Sequence, residues 1–326
     1  MLDITVAIRT YNRASSLSQL LSHLSRQIQV EDIRWEVLVI DNNSSDNTAK
    51  VVQSHQLKWP FQQPLRYILE PVQGAAMARK RAFKEANSQW VGFIDDDNLP
   101  AQDWVYQAHR FALDHPEVGA YGGRIKLQSE SNLPENFHQI SVYLAIIDRG
   151  ESEFCYNHRQ NNVLPPGTNI VISKKAWIEA VPRNISLLGP SGKNLNSKGE
   201  DIEILSHIQK LGIEVWYAPN LQCLHNLPEW RLERAYLLSL AWGVGLGRHH
   251  IRMLRLKKTE KYFMPIVYFA NDFRHFVHSL IKHVGLFKKD TVSAFHLILS
   301  VSILFSPIHS LITSKSKQKS ALTTQA

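Results

Sequence analysis

Trp90-Val91-Gly92-Phe93-Ile94-Asp95-Asp96-Asp97-Asn98-Leu99-Pro100 is the stretch that decides how this chain folds. A short apolar run stops abruptly at three aspartates. The run predicts a strand buried on both faces, the kind that a parallel sheet uses. Three successive carboxylates repel one another unless something neutralises them. A divalent cation that prefers oxygen, Mg²⁺ or Mn²⁺, would do so. The carboxyl ends of strands are also where open α/β sheets bind ligands. The plainer reading is an Asp-rich turn capping the next helix, and the triplet alone does not separate the two.

Outward from this strand, the first 125 residues alternate between short apolar runs and helical patterns. Ile4–Ile8, Glu36–Ile40 and Leu65–Leu69 read as strands. Leu17, Leu20, Leu21 and Leu24 follow the i, i+3, i+4, i+7 rule of a helix that Ser15 or Ser16 would cap. A second helix is expected from Ser45 or Asp46 through Val51 and Val52. An alanine-rich helix spans Gly74–Ala86 and carries Arg79, and another covers Asp103–Leu113. Such alternation predicts an α/β fold, a mainly parallel sheet with helices on both faces. The section from about Ile125 to Leu227 is less regular. It holds Pro165-Pro166-Gly167-Thr168-Asn169, a strand Ile170–Ile172, a Gly/Ser/Asn-rich loop at 189–199 expected to be mobile, a helix Ile202–Leu211 and a strand Glu214–Ala218.

Polar residues collect at the strand ends: Arg9-Thr10-Tyr11-Asn12-Arg13, Asp41, Glu70 to Arg79, and Asp95–Asp97. In these the chain resembles the family 2 glycosyltransferases of the GT-A fold, a nucleotide-diphospho-sugar transferase fold on a Rossmann-like sheet. The matching segments are VAIRTYNR, VIDNNSSDNT, EPVQGAAMARKRA, FIDDDNLP, PPGTNIVISKKAW and KGEDIEILSHI. They run from about Ile4 to His225 in family order. The resemblance implies that Thr10, Tyr11 and Asp41 grip the nucleotide base, usually uracil, and that Arg79 faces the nucleotide. It implies a metal-binding cluster at Asp95–Asp97, with Asp97 on the ion, Asp96 on the ribose or the ion, and Asp95 on the nucleotide side. Glu200-Asp201 match the acidic pair whose Asp is the base. Gly167 and Asn169 fall where the family shapes the sugar and acceptor pocket, and His225 where some relatives place a histidine near the metal or diphosphate. Relatives often carry Pro before Thr-Tyr-Asn; Arg9 stands there instead, a change read as one of local stiffness more than chemistry.

Each position also has a plainer reading. Asp41 would cap a turn, Arg79 would be a solvated charge, and Glu200-Asp201 would be acids favoured by a helix dipole. His225 would be a satisfied structural histidine, Gly167 a turn residue and Tyr11 part of the core. The implied activity is metal-dependent transfer of a sugar from a nucleotide diphosphate sugar, a UDP-sugar first, to a hydroxyl of a glycan or lipid-linked acceptor. With one base, one Mg²⁺ or Mn²⁺ and no evident nucleophile, the expected course is a single inverting displacement. A sugar-nucleotide pyrophosphorylase would want a glycine- and lysine-rich loop after the first strand, and Arg9–Arg13 has no glycine. A non-catalytic scaffold for membrane or nucleic acid is suggested by charge alone. Sparse aromatic interleaving of basic residues in the first 125 positions argues against nucleic acid. Gly189-Pro190-Ser191-Gly192-Lys193-Asn194 has the wrong spacing for a phosphate loop, and Gly243-Val244-Gly245-Leu246-Gly247 has the wrong spacing for a dinucleotide fingerprint.

Composition sets the outer bounds. The 326 residues, 44% of them hydrophobic, suffice for a packed core. A formal charge of +8 and a pI of about 9.4 suit polyanionic partners. Cys155 and Cys223 give no disulfide framework, so a reducing compartment fits, and no signal peptide is expected. Domain expectations are a transferase domain over 1–228, with a nucleotide half 1–125 and an acceptor half 126–228. A helical membrane-associated region, 229–313, and a disordered tail, 314–326, follow. Val292–Thr313 has about the ~20 residues that span hydrocarbon. Tyr262–Leu286 reads as interfacial, and the basic run Arg248–Lys258 suits an anionic leaflet. The expected location is the cytoplasmic face of a membrane, held peripherally or by a single C-terminal span.

Overall fold

The computed structural model describes residues 1–128, 132–156, 163–182, 185–187, 189 and 199–323, with side chains to 312. In chain order the elements are β1 (Leu2–Thr10), α1 (Ala14–Leu24), β2 (Trp35–Asp41), α2 (Thr48–Gln56), β3 (Leu65–Leu69), α3 (Ala75–Glu85), β4 (Ser88–Asp95), β5 (Asn98–Pro100) and α4 (Trp104–Asp114). Next come β6 (Ala120–Leu127), β7 (Phe154–Cys155), β8 (Ile170–Ser173), α5 (Lys174–Ala180), α6 (Glu200–Lys210) and β9 (Val215–His225). Three long helices end the chain: α7 (Arg234–Arg255), α8 (Met264–His283) and α9 (Thr291–Thr323).

The strands form one sheet in the order β3-β2-β1-β4-β8-β6-β9-β5, with β7 on β9. β3, β2, β1 and β4 are parallel neighbours; β8 is antiparallel to both β4 and β6, while β9 lies parallel to β6. The register sets Thr10 opposite Asp41 on one side of β1 and Arg9 opposite Asp95 on the other. Polar residues of three strand ends thus share one rim. The four leucines of α1 are fully buried, as their spacing predicts, against Ile4, Val6 and Ile8 in the same core.

Capping differs from the expectation. α1 begins at Ala14, before Ser15, and draws no cap from its own side chains. Asp46 supplies the acceptor instead, taking the Ala14 N–H at 3.1 Å and the Thr48 N–H of α2 at 3.0 Å. One carboxylate ties the starts of two helices. β5 was not evident in the sequence because Asn98-Leu99-Pro100 is short and ends in proline. It pairs antiparallel with β9, which extends well past Ala218, and this puts Asn98 opposite His225.

Among the described residues, 1–128, 144–156, 163–182, 185–187, 189 and 200–227 form one compact unit, and 132–143, 199 and 228–323 form another. Segment 132–143, assigned by sequence to the acceptor half, groups with the second unit. In that unit α7 and α9 pack along each other. A Cβ on Gly245 would lie 1.7 Å from Ser302 Oγ, so only glycine permits the crossing. The Gly243–Gly247 run serves helix packing. Arg252, expected on a lipid leaflet with the basic run, instead donates to Asp272 at 2.9 Å and lies over the Tyr268 ring. The tail from Ser314, expected to be disordered, continues α9 as helical backbone to Thr323. Lys, Gln, Ala and Leu are good helix formers and the segment has no Gly or Pro to stop it. The expected mobile loop at 190–198 lies outside the described residues.

Candidate active site

The site is assembled at the carboxyl ends of β1, β2 and β4 and the amino end of α6. At the β1 end, Thr10 is 3% exposed and its hydroxyl donates to Asp96 Oδ2 at 2.8 Å. Tyr11, the next residue, is exposed rather than part of the core. At the β2 end, Asp41 is buried with both oxygens engaged. Ser44 N–H donates to Oδ1 at 2.8 Å and the Tyr67 hydroxyl to Oδ2 at 2.7 Å. Burial and the Asp41 charge hold the Tyr67 phenol above its usual range, so it stays a donor. Beside it, the Asn42 amide holds the loop before α3, accepting from Gly74 N–H at 2.7 Å and donating to Val72 O at 2.8 Å.

The three aspartates part company. Asp95 accepts from Arg9 Nη2 at 2.7 Å, and its own N–H donates to the Thr168 hydroxyl at 2.9 Å. Asp96 turns to Thr10. Asp97 lies 3.6 Å from His225 Nε2 and takes the Asn98 amide at 2.9 Å, while its carbonyl accepts the Asn226 N–H. The pairing of β5 with β9 brings His225 there. Burial, with Asp97 adjacent, pushes the Asp96 carboxyl up to about 7. Two neighbouring carboxylates are thus crowded in a dry place, where the Thr10 hydroxyl and the charge of Arg13 offset only part of the penalty. Among the described residues no three of His, Cys, Asp and Glu converge as a ready metal cage. The set of Asp97 and His225, with Asp96 nearby, fits an ion that takes its remaining ligands from a substrate diphosphate and water, as Mg²⁺ habitually does.

Arg9 corrects the sequence reading. It is chemically engaged, joining the aspartate cluster to the acidic pair: Nη2 on Asp95, Nη1 3.4 Å from Glu200, and a 3.4 Å contact to the Gly167 carbonyl. Burial lowers its basicity, but Asp95 and Glu200 outweigh this and hold the guanidinium above its usual range. Arg79, expected to face a nucleotide, is 1% exposed. Its guanidinium sits 4.4 Å over the Phe93 ring, donates to Gly167 O at 3.0 Å and lies 4.0 Å from Glu200. Burial, and then repulsion from Arg9, pull it down to about 10. An arginine enclosed this way needs an aromatic face and acceptors, and β4 and the 167–169 turn provide them.

Gly167 is where this turn meets α6. Its N–H donates to Asp201 Oδ2 at 2.6 Å, and a Cβ there would lie 2.5 Å from Arg79 Nη2 and 2.9 Å from Asp201 Cβ. Asp201 is partly exposed, with Oδ1 on its own helix's Ile202 N–H at 2.8 Å. Burial, followed by the charge of Glu200, raises its carboxyl above the ordinary range. Asn169, expected in the acceptor pocket, is fully enclosed instead. It accepts from Trp104 Nε1 at 2.6 Å and donates to the Arg124 and Leu221 carbonyls, both at 2.9 Å. No face of its amide is left for a sugar. Tyr67, Phe93 and Thr168 were not singled out by sequence; they carry no charge, and only their neighbours in space, Asp41, Arg79 and Asp95, reveal them.

The glycosyl transferase family 2 profile matches residues 5–181 of this chain. Poly-beta-1,6-N-acetyl-D-glucosamine synthase of Staphylococcus aureus is 25% identical over 265 residues, which cover 80% of this chain and 60% of that protein. Glycosyltransferase AglE of Haloferax volcanii is 28% identical over 102 residues, 31% of this chain and 33% of that one. The chain thus spans at most about three-fifths of the length of these relatives, 60% of the synthase. A solved mannosyltransferase, PcManGT from Pyrobaculum calidifontis in complex with GDP-Man and Mn²⁺, is 18% identical with a TM-score of 0.61 over 95% of this chain and 89% of its own. That likeness is one of fold, and the mixed sheet described above is the GT-A architecture.

Proposed function

The chain belongs to glycosyl transferase family 2, and from that premise we propose that it moves a sugar from a nucleotide diphosphate sugar to a hydroxyl of a glycan or lipid-linked acceptor, with inversion. The carrying observation is the shared guanidinium of Arg9, which ties Asp95 of the aspartate triplet to Glu200 of the acidic pair in one cluster. In this reading donor-binding and proton-accepting groups share that cluster. Residues 1–228 make up the catalytic domain of this reading, and 229–313 its membrane-associated part. A cell-surface polysaccharide or glycolipid product, made at the cytoplasmic face of a membrane, belongs to this reading, and the synthase relative supports its polysaccharide part.

In this reading Thr10, Tyr11 and Asp41 receive the base, with UDP the first candidate, and Asp96 lies toward the ribose. Asp97 and His225 would hold Mg²⁺ or Mn²⁺, which supplies charge neutralisation to the diphosphate leaving group. Asp201 is the base. Its raised pKa places it nearer the operating pH, where a base is most effective. The acceptor O–H gives its proton to Asp201 as the oxygen bonds to the anomeric carbon. The bond from that carbon to the diphosphate oxygen breaks on the opposite face. Gly167 N–H and Ile202 N–H fix the carboxylate throughout.

The test is a screen of UDP- and GDP-sugars for hydrolysis and transfer by the detergent-solubilised full chain, with Mn²⁺, Mg²⁺ or EDTA. Metal-dependent turnover of one donor is expected. Absence of UDP and GDP binding with or without Mn²⁺ would refute the reading in favour of a non-catalytic scaffold.

A further inference from the structure

Helix α8 carries two distinct faces. One is packed: Asp272 holds Arg252 of α7, Ser279 and His283 are buried, and His283 meets the Ser293 hydroxyl of α9 at 3.0 Å. The other is apolar and bare. Ile266, Phe269, Phe273, Val277, Leu280 and Ile281 recur at the spacing of a single helix stripe, and each is 38–78% exposed. A helix of a water-soluble bundle has no use for the second stripe.

Basic side chains border that stripe. Arg274, His278 and Lys282 follow one another four residues apart, all exposed, along one edge of it. Lys257, Lys258 and Lys261 precede the helix, and Lys288 and Lys289 follow it, again exposed. The acids among them, Glu260 and Asp290, are half-buried; Glu260 accepts from the Lys257 N–H, and Asp290 from the Val292 and Ser293 N–H groups. The one acid on α8, Asp272, is on the packed face. An apolar stripe edged and bracketed by cations complements an anionic lipid surface, where acyl chains meet negative headgroups.

The helix that composition nominates for a membrane is a different one. Thr291–Ile312 of α9, with a mean hydropathy of 1.8, is long and apolar enough to cross, but 44% of it is buried within the protein. Ala294, Phe295 and Ser302 are fully enclosed, and Ser302 is the residue seated on Gly245. Withdrawing α9 into lipid would strip that packing from α7.

We propose that the chain docks on anionic membranes through the outer stripe of α8, lying flat in the headgroup–acyl boundary, while α9 remains a core helix of its own unit. This surface is independent of the donor and acceptor proposed above. Flotation of the full chain with phosphatidylcholine vesicles, with and without roughly 30% phosphatidylglycerol, tests it. Wild type is expected to float with the anionic vesicles and to be released by an alkaline carbonate wash. Phe269→Glu with Phe273→Glu should lower partitioning at least about tenfold, with unchanged circular dichroism and melting. Arg274→Gln with Lys282→Gln should weaken binding to anionic vesicles alone, about fivefold per charge. Three results would overturn the proposal: flotation of the double-Glu variant like wild type, resistance of wild type to the carbonate wash, or light scattering that shows the double-Glu variant losing a dimer while vesicle binding persists. The second would point to a crossing α9, the third to a second copy of the chain on the stripe.

Discussion

Arg9 Nη2 lies 2.7 Å from Asp95 Oδ1, so the first aspartate of the triplet is engaged by protein before any ligand arrives. The same guanidinium meets Glu200, and Arg9 is nearly buried while Asp95 is about a third exposed. Arg9→Met removes the cation that bridges the two acids and leaves Glu200 enclosed beside Asp201, with Arg79 4.0 Å away. The expected loss is about 2–4 kcal/mol, below the full range for a buried pair because solvent screens Asp95. Urea unfolding measures it, and an unchanged midpoint would refute the bridging role.

Asp201→Asn should keep the tie to the 167–169 turn, because an amide oxygen still accepts the Gly167 N–H, while the amide nitrogen gives up the bond from the Ile202 N–H. Transfer is expected to fall ~10²–10⁴-fold while nucleotide affinity stays within a few-fold. Parallel rate and UDP-binding measurements check this. Full activity in the variant would remove Asp201 from the base role.

The acid limb of the pH profile should answer to Glu200. Asp201 is raised by burial and by that neighbour's charge, and a base works only when deprotonated. Transfer therefore declines as pH drops through the raised value. Glu200→Gln takes away the repelling charge, lowers the Asp201 pKa and shifts the limb of kcat/KM to lower pH. The stability linkage has the matching sign: the native state gains from the protonated acid below the ordinary carboxylate pKa of ~3.9, and loses that gain as pH rises through the folded value. A limb that stays still in Glu200→Gln would contradict the coupling.

Asp97→Asn and His225→Ala should each weaken Mn²⁺ binding at least about tenfold in the presence of UDP. Isothermal titration with and without nucleotide distinguishes this from a folding defect, since the UDP contacts proposed at Asp41 are elsewhere on the rim. Equal Mn²⁺ affinity in both variants and wild type would place the ion on other residues.

Asn169→Ala is expected to damage stability and leave the acceptor KM unchanged in the folded fraction. It strands the Trp104 indole N–H and two carbonyls inside the core, at about 3–5 kcal/mol in sum. A raised acceptor KM with normal melting would restore Asn169 to the pocket.

The parallel half of the sheet was legible in the sequence because Ile4–Ile8, Glu36–Ile40 and Trp90–Ile94 are apolar runs bounded by polar ends, and the leucine spacing of α1 admits one reading. The antiparallel half was harder. β5 is too short to show a period, and β9 continues through Pro219, a residue that usually closes a strand. Site chemistry was legible as residue type: Thr10 does meet Asp96, and Asp97 lies beside His225. Direction was not. Whether Arg79 points to solvent or inward is settled by Phe93 and Gly167, which come from β4 and from a turn far along the chain. Arg9 could be read for its charge but not for its two partners, which lie 86 and 191 residues away.

The double engagement of Asp41 has a bearing on selectivity. A ligand N–H arriving at that carboxylate finds Tyr67 and Ser44 already in place, so recognition there is an exchange of one hydrogen bond for another, or a sharing of lone pairs, and not a fresh gain. Sites of that kind add little to affinity yet reject a base that brings an acceptor instead of a donor, since such a base forfeits the native bond and makes none in return.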